Sequence, residues 1–359
     1  MQKNRPNQPI KSHSPKVKSP KAKSSKPRSP KPHSPKPNSP KSLSADDVIT
    51  DFAKVNFITV TINQDGQRID NFLLARLKGL PRSHLYKMIR DDEIRINKKR
   101  CKPHTRVYTG DVVRVAPVRL SAKDAPIISD DFAKGLLERI IHEDDGLIVL
   151  DKPHGLAVHG GSGESCGVIE AMRVAMGKKY LELVHRIDKD TSGLLLIAKK
   201  RSVLKNLQEQ FREKTIQKTY LCLVDGHVNS DMQTIDKPLL RYTLASGERR
   251  VRVSAEGKQS QTAIKVLARF TLDGKPVSLV QASPKTGRTH QIRVHLASIG
   301  HALLGDDKYH RGTSFFSVKH LCLHAWRLSL AGDGEHHKFC SQIPSTWAAL
   351  LPSDVSHQL

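Results

Sequence analysis

No apolar run in this sequence comes near the roughly 20 residues that a membrane-spanning helix needs; stretches such as Leu194 to Ala198 are among the longest. Nor does an apolar core follow the basic N-terminus, so no secretory signal is expected. The five cysteines, Cys101, Cys166, Cys222, Cys322 and Cys340, show no Cys-x-x-Cys pairing. Without that spacing neither a zinc site nor a disulfide framework is expected, and the thiols read as reduced and mostly packed, as in a cytoplasmic protein. A Walker loop ending in Lys-Ser/Thr is missing, and so is the glycine pattern of a dinucleotide site after a strand. The glycines around Gly160 therefore do not read as a nucleotide site.

Acidic side chains are the most unevenly missing. Residues 1–44 hold 12 Lys and Arg and not one Asp or Glu. The whole chain has 60 Lys and Arg against 35 Asp and Glu, a formal net charge of +25, so +13 remains once the first 44 residues are set aside. The rest of the chain is therefore basic in its own right, and a polyanion is the expected partner. Ser-Pro-Lys recurs five times, from Ser14-Pro15-Lys16 to Ser39-Pro40-Lys41, with hardly an apolar side chain between. Such a segment cannot bury a core, and its prolines fix φ and remove amide donors, so residues 1–54 are expected to be a disordered tail. A tether held to RNA by counterion release is the preferred reading. The competing one is a DNA minor-groove arm, since the repeats resemble those of histone tails.

The remainder divides in two. In residues 55–118 a strand is expected over Phe57–Ile62, after which Ile69, Phe72, Leu73 and Leu77 recur at helical spacing until Gly79 and Pro81 end the helix. Ser83 can cap a second helix with Leu85, Met88 and Ile89 on its apolar stripe. Glu93-Ile94-Arg95-Ile96-Asn97 alternates as a strand, the basic run Lys98-Lys99-Arg100 follows, and Gly110 to Val115 returns. Residues 119–138 lack sustained periodicity and read as a linker to a second region, 139–359.

In that region Leu147 to Leu150 reads as a buried strand stopped by Asp151-Lys152-Pro153, while Thr262 to Val266 and Val277 to Ala282 alternate as strands. An α+β fold around a mixed, mostly antiparallel sheet is expected. His154 and His159 have no carboxylate or cysteine at supporting spacing, so packing or RNA contact is expected of them rather than a metal. Between the apolar runs Leu181–Val184 and Leu194–Ala198 lies the polar nonapeptide His185-Arg186-Ile187-Asp188-Lys189-Asp190-Thr191-Ser192-Gly193. A carboxylate there is anchored on both sides by core strands, which is how a nucleophile is held still. By composition alone Asp188 and Asp190 are equally turn or cap residues.

The nonapeptide resembles motif II of the RluA family of pseudouridine synthases, His-Arg-Leu-Asp-x-x-Thr-Ser-Gly, with Ile187 in place of Leu. That resemblance selects Asp188 as the catalytic aspartate, since Asp190 falls on a variable position. Gln217-Lys218-Thr219-Tyr220 resembles the family's Lys-x-Tyr strand, which makes Tyr220 its active-site tyrosine. Thr286-Gly287-Arg288-Thr289-His290-Gln291-Ile292-Arg293 resembles motif III. Arg293 is expected to pair with Asp188, with Arg288 as the alternative, and Arg186, Arg288, His290 and Gln291 are expected to meet RNA. Upstream, Gly66 to Leu73, Pro81-Arg82-Ser83 and Ile94 to Lys99 resemble an S4 domain, which implies RNA contacts from Arg82, Lys87, Arg90, Lys98, Lys99 and Arg100. Val158 to Gly163, Ser246 to Arg249 and Arg252 to Ser254 are most similar to the RluC branch, which implies 23S ribosomal RNA or a large-subunit precursor as partner. The basic tail is the main departure from that pattern.

Pseudouridine formation breaks the N1–C1′ bond, rotates the uracil and joins C5 to C1′. The resemblance therefore implies a nucleophile, a base flipped out of the RNA and no cofactor or metal, in a monomeric cytoplasmic isomerase. Arg186 can fill the gap left by the base, and Tyr220 can stack on uracil. Attack at C6 and attack at C1′ both stay open. Two other classes compete: a ribosome-assembly factor that binds RNA without catalysis, and a DNA binder led by the tail.

Overall fold

The computed structural model describes residues 53–77, 79–118, 128–161, 164, 166–178, 180–312, 315, 317–332 and 336–356. Nearly all of the expected tail and residues 119–127 of the expected linker lie outside them.

The first block runs β1 (Asn56–Thr59), β2 (Gln67–Arg68), α1 (Ile69–Arg76), α2 (Arg82–Arg90), β3 (Ile94–Ile96), β4 (Lys99–Arg100), β5 (Arg106–Val107) and β6 (Val112–Val115). Strands pair antiparallel in the order β1-β6-β3-β4, and β2 pairs with β5. Ile69, Phe72 and Leu73 of α1 meet Leu85, Met88 and Ile89 of α2 in a core of their own, closed by Ile94, Val107 and Val113. The helical spacing in the sequence is the spacing of these buried residues. Two local expectations change. The first strand stops at Thr59, because the Thr61 amide donates to Gln64 Oε1 at 3.1 Å and turns the chain. Helix α2 starts at Arg82 with Pro81, not Ser83, at its cap position. Proline supplies a fixed φ there, and its missing N–H costs nothing at a helix start. Asn97 and Lys98, at φ 49° and 68°, form the tight turn that puts the basic run into a hairpin.

Part of the expected linker is a helix. In α3 (Asp130–Leu137) Ser129 Oγ accepts from the Phe132 amide at 3.3 Å, and Leu136 is buried against Ile148 and Met172. Two turns interrupted by Gly135 are too short for the periodicity to stand out.

The second region continues with β7 (Ile140–Glu143), β8 (Leu147–Lys152), α4 (Val168–Ala175), β9 (Glu182–Leu183), β10 (Ser192–Ala198), α5 (Arg201–Glu213), β11 (Gln217–Asp225), β12 (Met232–Asp236) and β13 (Leu239–Thr243). It ends with β14 (Arg249–Val253), β15 (Gln261–Leu272), β16 (Lys275–Pro284), α6 (Gln291–Ala297), β17 (Leu323–Ala331), β18 (His336–Cys340), α7 (Ser345–Ala348) and α8 (Ser353–Ser356). The main sheet has the order β12-β15-β16-β11-β17-β10-β8-β7, with β9 on β10 and β18 on β17. Among the described strands one pair is parallel, β10 with β17, in register Ser192 to His324 and Gly193 to Ala325. The fold is thus α+β with a mixed, mostly antiparallel sheet.

Strand β10 is central because it is apolar on both faces. Leu195 and Ile197 pack with Val168 and Met172 of α4, whereas Leu194, Leu196 and Ala198 pack with Leu204 and Leu207 of α5. Truncating one of these leucines to alanine costs about 2–5 kcal/mol. The small block touches the larger region where Lys205 Nζ comes 3.6 Å from Asp65 Oδ2. None of the described helices is long and apolar enough to cross a membrane.

Candidate active site

Asp188 lies on the loop between β9 and β10, and several contacts fix that loop. The Thr191 amide donates to the Asp188 carbonyl at 3.2 Å, and Ser192 Oγ lies 2.9 Å from His324 Nδ1 in the interior. Gly193 has φ 99°, and a Cβ there would come 2.3 Å from the Ala325 carbonyl oxygen, so only glycine lets β10 approach β17 so closely. On the other side, His185 Nε2 accepts from the Leu196 amide at 3.1 Å, with its ring 4.9 Å from that of Phe211. Burial pushes His185 down to about 3, so the ring is neutral and free to accept.

Beneath the loop lies Lys152, with no exposed surface. Its Nζ donates to the carbonyls of Pro153, Leu156 and Lys189 at 2.7, 2.8 and 2.9 Å. Burial pulls it down to about 7, and Asp190, Asp188 and Asp151 pull it back up. Three carbonyl acceptors use all three N–H groups of an ammonium, so the charged form is the one this pocket holds.

The Asp188 carboxylate, 24% exposed, opens on a cleft of about 330 Å³ whose walls include Arg186, Tyr220, Lys218, Arg288, His290 and Leu323. Tyr220, half-buried on β11, is pushed up by burial and then by Asp188, which keeps its hydroxyl protonated. His290 stands at the cap of α6 with φ 51°, its Nε2 4.0 Å from Asp188 Oδ2 and its Nδ1 2.7 Å from the Tyr309 hydroxyl. Burial lowers His290 while Asp188 raises it, the burial effect being larger.

The expected direct pair of Asp188 and Arg293 is replaced by another. Arg293, 1% exposed, donates from Nε to Asp306 Oδ2 at 2.8 Å and from Nη2 to Asp306 Oδ1 at 2.6 Å. Burial alone would pull the guanidinium down, but Asp306 overrides it, and Asp188 adds only a charge interaction without a hydrogen bond. Asp306 sits on a turn closed by Gly305, whose φ is 70° and where a Cβ would come 2.1 Å from the His320 carbonyl oxygen. Arg288, exposed at the cleft rim, donates from Nε to the Gln259 carbonyl at 3.3 Å, so the alternative partner is engaged elsewhere too.

Gln291, expected at the RNA surface, is 4% exposed. Its Oε1 accepts from Thr286 Oγ1 at 2.7 Å and from the Arg288 amide at 3.0 Å, while Nε2 donates to the Gln261 carbonyl at 2.9 Å and Thr262 Oγ1 at 3.0 Å. All its bonding capacity is spent clamping the Thr286–Arg288 turn to β15, which leaves nothing for a ligand. His290 likewise faces the carboxylate and Tyr309 rather than open surface. Arg186 is exposed beside Asp188. In the small block Arg82, Lys87, Arg90, Lys98, Lys99 and Arg100 are all exposed, with Arg82 6.0 Å from the Tyr86 ring and Arg100 Nε 3.2 Å from Asp92 Oδ2.

No site role was expected of Lys152 or of Lys218, named only in the strand stop and in the Lys-x-Tyr motif, nor of Asp306 and Tyr309. One signal was available for Lys152: a lysine closing the apolar strand Leu147–Lys152, where nothing but burial awaits it. Asp306 and Tyr309 sit in a turn-like stretch, Gly305-Asp306-Asp307-Lys308-Tyr309, whose residue types are those of any exposed turn.

Known proteins match this arrangement. Residues 146–298 match the family described as RNA pseudouridylate synthase, and residues 67–113 match the S4 domain. The chain is 48% identical over 309 residues to the ribosomal large subunit pseudouridine synthase C of Haemophilus influenzae, covering 83% of this chain and 95% of that one. It is 49% identical over 263 residues to the protein of that name in Escherichia coli (strain K12), covering 72% of this chain and 81% of that one. Among solved structures, human RNA pseudouridylate synthase domain containing 4 superposes with a TM-score of 0.52 at 26% identity, over 61% of this chain and 94% of that one. With an aspartate held over a base-sized cleft and these likenesses along most of its length, the chain belongs to the RNA pseudouridylate synthase family.

Proposed function

We propose that the chain isomerises uridines of large-subunit ribosomal RNA to pseudouridine, with Asp188 as the nucleophile. One observation carries this reading: a partly exposed carboxylate on a loop immobilised from below by Lys152 and from both sides by β9 and β10, facing a cleft beside Tyr220. The relatives named as ribosomal large subunit pseudouridine synthases supply the substrate class.

A uridine stacked in RNA must be flipped into the cleft before Asp188 can reach it. Arg186, exposed at the rim, takes the vacated place in the stack, and Tyr220 packs against the uracil ring. Arg293 acts on Asp188 through its field rather than through a hydrogen bond, its Nε–Nη2 edge being given to Asp306. A fixed positive charge behind the carboxylate favours its ionised, nucleophilic form. The reaction moves a base within one nucleotide and needs neither redox chemistry nor external energy, so the enzyme works without a cofactor. On this reading it acts as a cytoplasmic monomer, with the S4 block at 55–118 and the catalytic region at 139–359 holding one RNA between them. The exposed cations of the S4 block position that RNA through its phosphates.

Mapping pseudouridines in ribosomal RNA from cells with and without the gene tests the proposal. Large-subunit sites that vanish on deletion and return with the wild-type gene are expected; an unchanged large-subunit map would refute it. A role in RNA binding without catalysis is not favoured, since Asp188, Tyr220 and an open cleft are all retained.

A further inference from the structure

A second groove, of about 390 Å³, adjoins the Asp188 cleft and shares Phe211, Lys218 and Arg288 with it. Arg212, Lys214 and Lys285 complete its basic lining, and no Asp or Glu is among the described residues that line it. Lys214 and Lys285 are exposed, and Arg212 is held by Glu209 on its own helix. Lys218 differs from them: it is half-buried at the junction of the two clefts, with its Nζ 5.6 Å from the centre of the Phe211 ring. Among the described residues it has no ion-pair partner, and burial alone pulls its ammonium below the usual lysine range.

A half-buried ammonium without a counterion is costly unless something charged arrives to pair with it. The geometry points to an RNA phosphodiester. We propose that this groove is a subsite for the backbone flanking the target uridine, with Lys218 binding the phosphate nearest the flipped nucleotide and Lys214 and Lys285 the next along the strand. This rests on the reading of Asp188 as the site of base modification. Once a nucleotide occupies that cleft its strand must leave the cleft, and the basic, acid-free groove is continuous with it. Phosphates bound there set the register of the strand on the enzyme and leave base choice to other contacts.

Neutral linkages test this in the full-length enzyme. An RNA fragment containing one mapped target uridine is made with a single methylphosphonate in turn at each linkage flanking it. Every substrate, including the all-phosphate control, carries 2′-O-methyl on the sugars preceding those linkages for chemical stability. With wild-type enzyme one linkage is expected to lower kcat/KM about tenfold, mainly through KM, the size of one hydrogen bond to a charged group. Lys218→Gln should show that loss on all-phosphate RNA and no further loss at the sensitive linkage, and Lys218→Arg should recover most of it. Wild-type enzyme indifferent to every neutral linkage would overturn the inference. So would losses that multiply when Lys218→Gln meets the neutral linkage, as a merely structural lysine would give. No pseudouridine from the same fragment without either modification, with wild-type enzyme, would remove the functional reading, and the subsite with it, whereas turnover of the control with no linkage effect removes the subsite alone.

Discussion

Arg293 presents the Nε–Nη2 edge of its guanidinium to Asp306, at 2.8 and 2.6 Å, with Nη2 also 3.3 Å from Asp307 Oδ1, and makes no hydrogen bond to Asp188 among the described residues. The guanidinium whose charge acts on Asp188 is therefore itself held by a buried carboxylate. Asp306 also accepts from the amides of Lys308 and Tyr309, at 2.9 and 3.1 Å, and the Tyr309 hydroxyl reaches His290 and the Val251 amide. One turn thus ties Arg293, His290 and strand β14 together beside the cleft.

Asp306→Ala should be severely destabilising, because it leaves a buried guanidinium without its partner, a change that costs about 3–5 kcal/mol. Urea denaturation measures it. Asp306→Asn, which keeps an acceptor but not the charge, should fall between wild type and Ala. A midpoint for the Ala variant equal to that of wild type would show that the pair is not closed in solution.

Gly193→Ala should lower stability and activity together. The added Cβ meets the Ala325 carbonyl oxygen at 2.3 Å, and φ 99° is itself strained for any L side chain. Backbone strain of this kind costs about 1–3 kcal/mol before the clash is counted. Thermal melting and turnover report the two effects, and a variant melting within a degree or so of wild type would contradict the close strand approach.

Acid should weaken the fold well before carboxylates titrate. Burial holds His185 at about 3 and His324 at about 4, and His154, His290 and His295 are lowered in the same sense. An unfolded histidine titrates near 6.5. Below that pH the unfolded chain binds protons that the folded one refuses, so this stability is intact above about 6.5 and is lost as pH falls toward 4. For His185 and His324 the loss at pH 5 is about 2 kcal/mol each. Urea midpoints at pH 7 and pH 5 measure it, and equal midpoints would show these rings protonate freely in the fold.

Removing residues 1–44 deletes 12 cations, and should weaken RNA binding at low salt and flatten its salt dependence while leaving turnover at saturating RNA in place. Binding titrations across a salt series measure this, and identical slopes would assign the tail no part in holding RNA.

What could be read from sequence was local. The Asp188 loop stood out because its polar nonapeptide sits between two apolar runs that become β9 with its flanks and the fully buried β10. The S4 helices were legible for a similar reason, their buried residues recurring at helical spacing. Partners brought in from elsewhere were not. Gln291, on α6, is buried by Gln261 and Thr262 of strand β15, and nothing in its own motif distinguishes a clamp from a surface amide. Arg293 found an aspartate 13 residues further on instead of the one 105 residues back, a choice made by the turn at Gly305. Helix α3 was lost in the expected linker because two turns carry too little periodicity to read.

Tritium release from RNA labelled at uridine C5 tests the role of Asp188 most directly, with binding of the same RNA measured alongside. Wild-type enzyme should release tritium as pseudouridine forms, while Asp188→Asn should bind the RNA with unchanged affinity and release none above background. Substantial release by the Asn variant would show that this carboxylate is not the nucleophile.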